Sequence, residues 1–183
     1  MIIGITGTLG AGKGTIVEQL KKRGFKHFSA RDFITKEIIK RGLPVNRDSM
    51  VLVANDLRSK HSPSYVAEQL FKLAEIEGGN CVIESLRTPA EIECLKSKGK
   101  FVLFAIDADA KLRYERVVAR KSETDKISFD VFKENEKREM ISKDPNKQNL
   151  KKCIEMADFV FMNNQTINDL NEKVLGVLNK LGI

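Results

Sequence analysis

Nine consecutive residues, Gly7-Thr8-Leu9-Gly10-Ala11-Gly12-Lys13-Gly14-Thr15, carry the densest chemistry in this 183-residue chain. They follow an apolar run, Met1 to Ile5, and precede a helical pattern, Ile16 to Arg23. Strand, glycine-rich turn and helix form the context in which a backbone binds phosphate. Glycines let the chain curl around an anion with its N–H groups pointing inward. The helix N-terminus adds its positive dipole end. Lys13 has the reach to meet the outer phosphates of a nucleotide, and Thr15 offers a hydroxyl to Mg²⁺. The general pattern places Ser or Thr directly after the lysine; here Gly14 holds that position and Thr15 follows. A plain glycine turn would not require the lysine at this spacing.

Other candidates lie at strand ends and along one helix. Glu84 sits in Val82-Ile83-Glu84-Ser85-Leu86-Arg87-Thr88, where a strand runs out. A carboxylate there, facing a phosphate loop, suits a water-mediated Mg²⁺ ligand, and Arg87 can fork onto a phosphate. The bland alternative is a Glu84–Arg87 surface pair, worth little energetically. Arg113, Arg116 and Arg120 recur in steps of three and four, which puts them on one helical stripe. Like charges so placed repel unless an anion meets them. Arg116 and Arg120 read as phosphate contacts, Arg113 less so; Glu115 lies off the stripe, and Glu123 is the other carboxylate available for pairing. In Ser29-Ala30-Arg31-Asp32, Ser29 with Asp32 reads as a helix cap, and Arg31 falls near the phosphate site. Arg58 taken alone fits a solvated helix position, and Arg138 fits a surface pair with Glu134 four residues earlier. Asn163-Asn164-Gln165 reads as a turn leading into a helix, with side chains also able to meet a base edge. His27 and His61 have no partner at a ligand spacing and read as structural. No His-x-Glu occurs with Pro-Cys-x-x-Cys, which excludes a zinc nucleobase deaminase.

These residues must be held by a scaffold, and the hydropathy pattern supplies one. Short apolar segments at Met1–Thr6, Lys26–Ser29, Asn80–Glu84, Lys100–Ile106 and Asp158–Met162 alternate with helical patterns. The helices are expected at Lys13–Arg23, Arg31–Arg41, Ser49–His61, Ser64–Glu77, Pro89–Lys98, Ala110–Arg120, Phe129–Ser142, Asn149–Met156 and Ile167–Leu181. The alternation predicts an α/β fold, a five-stranded parallel sheet with helices on both faces. Ligands of such sheets bind beyond the carboxyl ends of the strands. Thr88-Pro89-Ala90-Glu91 reads as a capped helix start, with Ser62-Pro63 and Thr166-Ile167-Asn168-Asp169 similar. Residues 121–152 are strongly charged with few apolar anchors, which suits a mobile helical lid that closes over a ligand and excludes water.

The bulk numbers bound the rest. A chain of 183 residues suggests one domain, 1–183, with room for a sizeable core. The net charge of +7 fits an anionic ligand, nucleic acid or small phosphorylated molecules, and equally a solubilising surface. Cys81, Cys94 and Cys153 are scattered with no Cys-x-x-Cys, the usage of reduced thiols in a cytoplasmic setting. The N-terminus lacks a signal-peptide pattern, and no apolar run approaches the ~20 residues of a membrane span.

The loop resembles the adenylate kinase form of the phosphate-binding motif, in which Gly-Lys-Gly-Thr replaces the usual ending. His27-Phe28-Ser29-Ala30-Arg31-Asp32 is similar to the segment that opens the monophosphate-binding region of those kinases, though Thr35 stands where they have an arginine. Val82 to Thr88 resembles their Asp-Gly-Phe-Pro-Arg segment, one residue shorter and with Glu84 for Asp. Over nearly its whole length the chain is similar to archaeal adenylate-kinase-related proteins, through Asn55-Asp56-Leu57-Arg58, Glu84 to Glu93, Leu112-Arg113-Tyr114-Glu115-Arg116 and Ala157-Asp158-Phe159-Val160. It also resembles the P-loop modules attached to some deoxycytidylate deaminases. The resemblance implies a P-loop kinase fold of the nucleoside monophosphate kinase superfamily, with an acceptor-binding region at about 31–78 and a lid at about 121–152. It implies transfer of the γ-phosphoryl group of ATP, with Mg²⁺, to a nucleoside or deoxynucleoside monophosphate. Residues 7–15 would hold the donor, Thr15 and Glu84 the Mg²⁺, and Arg31, Arg58 and Arg87 the acceptor phosphate. Lys13, Arg87, Arg116 and Arg120 would be catalytic. Two alternatives stand beside it: a kinase for another small acceptor such as dephospho-coenzyme A, and a regulatory ATPase that binds a partner. The kinase reading gives neither a membrane nor a nucleic acid a role.

Overall fold

Strand β1 (Ile2–Gly7) lies at the centre of a five-stranded sheet, and every one of its residues is buried. In the computed structural model, which describes residues 1–120 and 127–183, it pairs with β3 (Cys81–Leu86) on one side and β4 (Phe101–Asp107) on the other. β2 (Lys26–Ser29) flanks β3, and β5 (Phe159–Met162) flanks β4, giving the order β2-β3-β1-β4-β5 with all pairs parallel. A strand covered on both faces must be apolar throughout, which is why Met1 to Ile5 reads as a continuous run rather than an alternation.

Alternate residues of β1 serve opposite faces. Ile3 and Ile5 pack against α1 (Lys13–Lys21) and α9 (Ile167–Lys180) through Ile16, Leu20, Val174 and Leu178. Ile2 joins the opposite layer of α4 (Tyr65–Glu77), α5 (Pro89–Lys96) and α8 (Leu150–Glu155), with Val66, Leu70, Leu95 and Cys153. A smaller cluster joins α2 (Ala30–Lys40) to α3 (Arg47–Lys60) through Ile34, Ile38, Val53 and Leu57. The remaining described helices are α6 (Ala110–Ala119) and α7 (Phe129–Met140). Among the described residues no helix is long and apolar enough to cross a membrane.

The caps form largely as expected. The Ser29 hydroxyl accepts from the Asp32 amide at 3.2 Å. Thr88 with Glu91, and Thr166 with Asp169, form reciprocal capping boxes. Two helix starts are corrected. α3 opens at Arg47, capped by the Asn46 side chain accepting from Ser49 N at 2.9 Å. α4 opens at Tyr65 without a side-chain cap, because the hydroxyls of Ser62 and Ser64 instead donate to Glu68 Oε1 at 2.8 and 2.5 Å.

β3 runs two residues past the expected end at Glu84, and its ladder with β1 slips there. Ile5 faces Glu84 while Thr6 faces Leu86, leaving Ser85 unpaired. Ser85 has φ 68°, a left-handed conformation that costs a non-glycine residue roughly 1–2 kcal/mol. The Thr6 hydroxyl donates to Leu86 O at 2.9 Å across the irregularity. Such bulges re-aim side chains beside functional sites, and this one turns Glu84 and Ser85 together toward the cavity described below.

One buried ion pair ties α3 to α5. Arg58, 2% exposed, donates through Nε and Nη2 to Glu91 Oε1 at 3.0 and 2.9 Å. The other carboxylate oxygen accepts from the Arg87 and Thr88 amides at 2.7 and 3.2 Å. Arg58 is therefore not the solvated arginine its sequence context suggests. Removing one partner of such a pair strands a buried charge. Glu91→Ala is expected to lower folding stability by about 3–5 kcal/mol in urea unfolding, far more than Glu172→Ala at the exposed glutamate of α9.

Candidate functional site

A cavity of about 600 Å³ opens beyond the carboxyl ends of β1 and β3, within the range of small-molecule sites. The glycine loop, α2, α3, α6 and α7 all contribute residues to its lining. Leu9, Gly10, Gly12, Lys13, Gly14 and Thr15 line it. Gly7, Thr8 and Ala11 do not; they build the loop from behind. Thr8 Oγ1 donates to Asp107 Oδ1 at 2.5 Å, and Asn163 Nδ2 donates to Ala11 O at 2.8 Å. At Gly10 and Gly12 the loop turns through φ 81° and 110°, and a Cβ would lie 2.4 Å from Arg113 O and 2.5 Å from Asn163 Nδ2. Those two positions need glycine for the loop itself. A Cβ at Gly14 would meet no protein atom within 4 Å, so its absence leaves room toward the cavity. α1 begins at Lys13, after Gly12 in the N-cap position, with no side-chain cap and no acidic residue in its first turn, so its dipole end is uncompensated by the chain.

Every arginine assigned to ligand by the sequence reaches this cavity: Arg31, Arg58, Arg87, Arg116 and Arg120 line it, with Glu84. Arg113 does not. Its guanidinium donates to Ala108 O at 2.6 Å and to Glu136 Oε1 at 2.7 Å, and lies over the Phe132 ring. The stripe is thus divided, its first member holding α7 and the other two lining the cavity; Glu123, the alternative partner, lies outside the described residues. Arg138 pairs with Asp48 at 3.3 Å and with Asn135, in place of Glu134. Asn163 and Asn164 clamp the loop and Asp109, as the turn reading expects, and Asn163 also lines the cavity. Of the expected lid, 121–126 lies outside the described residues; α7 is anchored by Phe132, 1% exposed, against Tyr114.

Two residues escaped the sequence reading. Arg47, first residue of α3, and Glu139, in the last turn of α7, both line the cavity. Arg47 was visible as a basic residue after a proline-containing stretch. Glu139 is one of many glutamates in a charged segment, and no spacing marks it. The apolar residues Ile34, Met50, Val51 and Ala54 complete the α2–α3 wall.

The electrostatics follow from crowding. Burial first, then Arg87, Arg120 and Arg47 nearby, lower the Lys13 ammonium from 10.5 to about 7, against the raising influence of Glu84. Its Nζ folds back onto the loop, donating to Gly7 O at 3.0 Å and Thr8 O at 2.8 Å. Burial lowers Arg87 from its ordinary value, Glu139 opposing and Arg47 adding. Burial pushes the Glu84 carboxyl up, but the His27 ring, 3.6 Å away, and Lys13 bring it below the usual carboxylate range. His61, by contrast, stacks on Tyr65. Among the described residues Arg47 Nε, Arg58 Nη1 and Arg116 Nη1 are buried without a hydrogen-bond partner. Orphaned guanidinium donors beside an uncapped helix start fit a polyanion. No three His, Cys, Asp or Glu residues converge among the described residues. A Mg²⁺ ion would therefore rest on Thr15, Glu84, water and phosphate oxygens, a donor set normal for that ion.

The model of an AAA domain family matches residues 3–142. A UPF0200 protein of Pyrococcus horikoshii is 29% identical over 189 residues, covering 99% of this chain and 97% of that protein. A UPF0200 protein of Methanococcus vannielii is 30% identical over 183 residues, covering 98% and 96%. Among solved structures, TT1252 from Thermus thermophilus superposes with a TM-score of 0.61 at 19% identity over 99% of this chain and 97% of that one. A shikimate kinase from Aquifex aeolicus gives 0.54 at 16% identity over 100% and 98%, and a dephospho-CoA kinase from Campylobacter jejuni 0.54 at 15% over 98% and 96%. At such identities the likeness is one of fold: an α/β, P-loop kinase-like fold.

The Lys13 shift has a measurable consequence. Its folded value, about 7, lies below the unfolded 10.5. Below pH 7 both states are protonated and the burial penalty is in full force. Between about pH 7 and 10.5 the unfolded chain binds more protons, so stability rises with pH. Lys13→Met is expected to raise the melting temperature of the ligand-free protein at pH 7, with the gap closing toward pH 10. Calorimetry across that range checks it.

Proposed function

The chain belongs to the AAA domain family and to the UPF0200 family, and from that premise we propose that it transfers the γ-phosphoryl group of ATP to a nucleoside or deoxynucleoside monophosphate. The fold supports nucleotide-dependent phosphoryl transfer in general; the choice of acceptor is the reading developed from the cavity. One observation carries it. Seven cationic side chains line a single cavity, Lys13 with Arg31, Arg47, Arg58, Arg87, Arg116 and Arg120. A site that only hydrolysed ATP would need fewer of them, and the surplus suits a second phosphate group. The apolar wall of Ile34, Met50, Val51 and Ala54 offers a base or similar flat group a place to lie.

Catalysis of this kind is positioning and charge neutralisation. The loop amides and Lys13 hold the β- and γ-phosphates, and Lys13 regains its full charge when they arrive, because an anion opposes the desolvation that lowers it. Thr15 and Glu84 would hold Mg²⁺, which would neutralise part of the phosphate charge when bound. Arg116 and Arg120 meet charge that spreads over the transferring group, and Arg31, Arg58 and Arg87 fix the acceptor phosphate. A phosphate acceptor is already ionised near neutral pH, so the site needs no general base. Thr35 in place of the adenylate kinase arginine argues against strict adenylate kinase behaviour.

Lys13→Met is expected to remain folded and to lose about 10²–10³-fold or more in turnover. Arg116→Ala and Arg120→Ala should lower kcat more than they raise KM for ATP, since their charge is needed most in the transition state. Variants matching the wild type in kcat would reduce the pair to a solvated face.

The acceptor is tested with ATP·Mg²⁺ against ribo- and deoxyribonucleoside monophosphates, with nucleosides and dephospho-coenzyme A as controls. Monophosphates should be far better acceptors than their nucleosides, and Arg87→Ala should weaken acceptor use while sparing ATP binding. Transfer to dephospho-coenzyme A alone would move the reading to a kinase of another small acceptor. Slow hydrolysis with no transfer would make the protein a regulatory ATPase.

A further inference from the structure

We propose that Glu139 is a built-in occupant of the acceptor-anion seat, held there by Arg47 and Arg87, and that an incoming phosphate displaces it and thereby releases α7 from the cavity. The inference rests on the kinase reading of this cavity and adds Arg47 to its ligands. Glu139 is 3% exposed and reaches across from α7. Arg47 Nη2 donates to both of its carboxylate oxygens at 2.6 Å, and Arg87 Nη1 donates to Oε2 at 3.2 Å and to Gln148 Oε1 at 3.4 Å. Three guanidinium groups therefore border the seat, since Arg58 lines the same cavity.

The carboxylate underfills it. Arg47 Nε and Arg58 Nη1 remain buried without a partner among the described residues, although buried donors are ordinarily satisfied. A carboxylate brings one negative charge and two oxygens. A phosphate monoester brings nearly two charges and three terminal oxygens, enough to meet the donors that Glu139 leaves open. Glu139 alone among the described carboxylates joins α7 to both Arg47 of α3 and Arg87 of the β3–α5 turn. Its displacement would leave the C-terminal end of α7 tied to α3 by the exposed Arg138–Asp48 pair at 3.3 Å, while the Arg113–Glu136 pair at 2.7 Å keeps the middle of α7 on α6. Arg47 stands on the helix that meets Thr35 through Met50, so the arginine that position 35 lacks would be supplied by α3.

Inorganic phosphate is the probe, titrated by calorimetry into Lys13→Met, which weakens the loop's own hold on phosphate, and into the same protein carrying Glu139→Gln or Arg47→Ala. Glu139→Gln, isosteric and uncharged, should bind phosphate about tenfold tighter, and Arg47→Ala about tenfold to a hundredfold weaker, the range of lost charge-assisted hydrogen bonds. In the unmutated chain, phosphate should speed amide hydrogen exchange in residues 129–140. Phosphate binding indifferent to both substitutions, weaker binding in Glu139→Gln, or unchanged exchange in α7 would overturn the proposal. The two readings fail separately. Absence of transfer to any acceptor would sink the kinase reading and leave these titrations standing. Transfer to a monophosphate with acceptor KM unimproved by Glu139→Gln would sink only the displacement of Glu139.

Discussion

Positive charge gathered around one small volume is the condition the rest of this structure answers to. Lys13 and Arg31, Arg47, Arg58, Arg87, Arg116 and Arg120 border a single cavity that, among the described residues, only Glu84 and Glu139 line as carboxylates. The mutual cost is visible in Lys13 and Arg87, both lowered from their ordinary values by burial and by each other's neighbours. The chain answers unevenly. Arg58 is neutralised on one side by a fully buried Glu91, and Arg113 is drawn away by Asp107 and Glu136. Those pairs hold elements together. At the cavity face, donors of Arg47, Arg58 and Arg116 are left unpartnered. Stability is given up where a ligand would restore it, the usual relation between a preorganised site and its fold.

Much of the fold was legible because its signals are local. An apolar run between turn residues, repeated five times between helical patterns, identifies strands that are covered on both faces. Caps read well for the same reason: Thr88 and Glu91, or Thr166 and Asp169, meet across three residues of sequence. The misses arose where a distant residue or an irregularity decides. Ser62-Pro63 has the letters of a helix start, but its hydroxyl is claimed by Glu68. β3 continues past Glu84 because the ladder slips at Ser85, and no residue type announces a bulge that uses serine rather than glycine.

The same division runs through the site. The donor half is one contiguous loop, so spacing alone brought Gly10, Gly12, Lys13 and Thr15 together. The arginine stripe was legible as a stripe, yet periodicity could not say that α7 would take Arg113 and leave Arg116 and Arg120. Arg58 looked solvated because a helix surface carries no mark of what packs on it; only the arrival of Glu91 from the next layer buries it. Glu139 lies among like residues in 121–152, and its partners are 92 and 52 positions away. A side chain defined by such distant partners leaves no trace in local spacing.

This asymmetry bears on why one fold serves many acceptors. The loop, the strand behind it and α1 form a unit whose geometry is fixed by close contacts: a Cβ at Gly10 would collide with Arg113 O, and one at Gly12 with Asn163. Little variation is possible there. The rest of the lining comes from α2, α3, the β3–α5 turn, α6 and α7, and no such backbone collision fixes its side chains. Thr35 and Arg47 illustrate the freedom, since a guanidinium absent at position 35 of α2 is present on the first turn of α3 and reaches the same cavity. Kinases as different as those for shikimate and dephospho-CoA share this overall fold with the chain. The fold therefore argues for the donor, and the acceptor must be argued from Arg47, Arg58, Arg87 and Glu139, which the fold does not dictate.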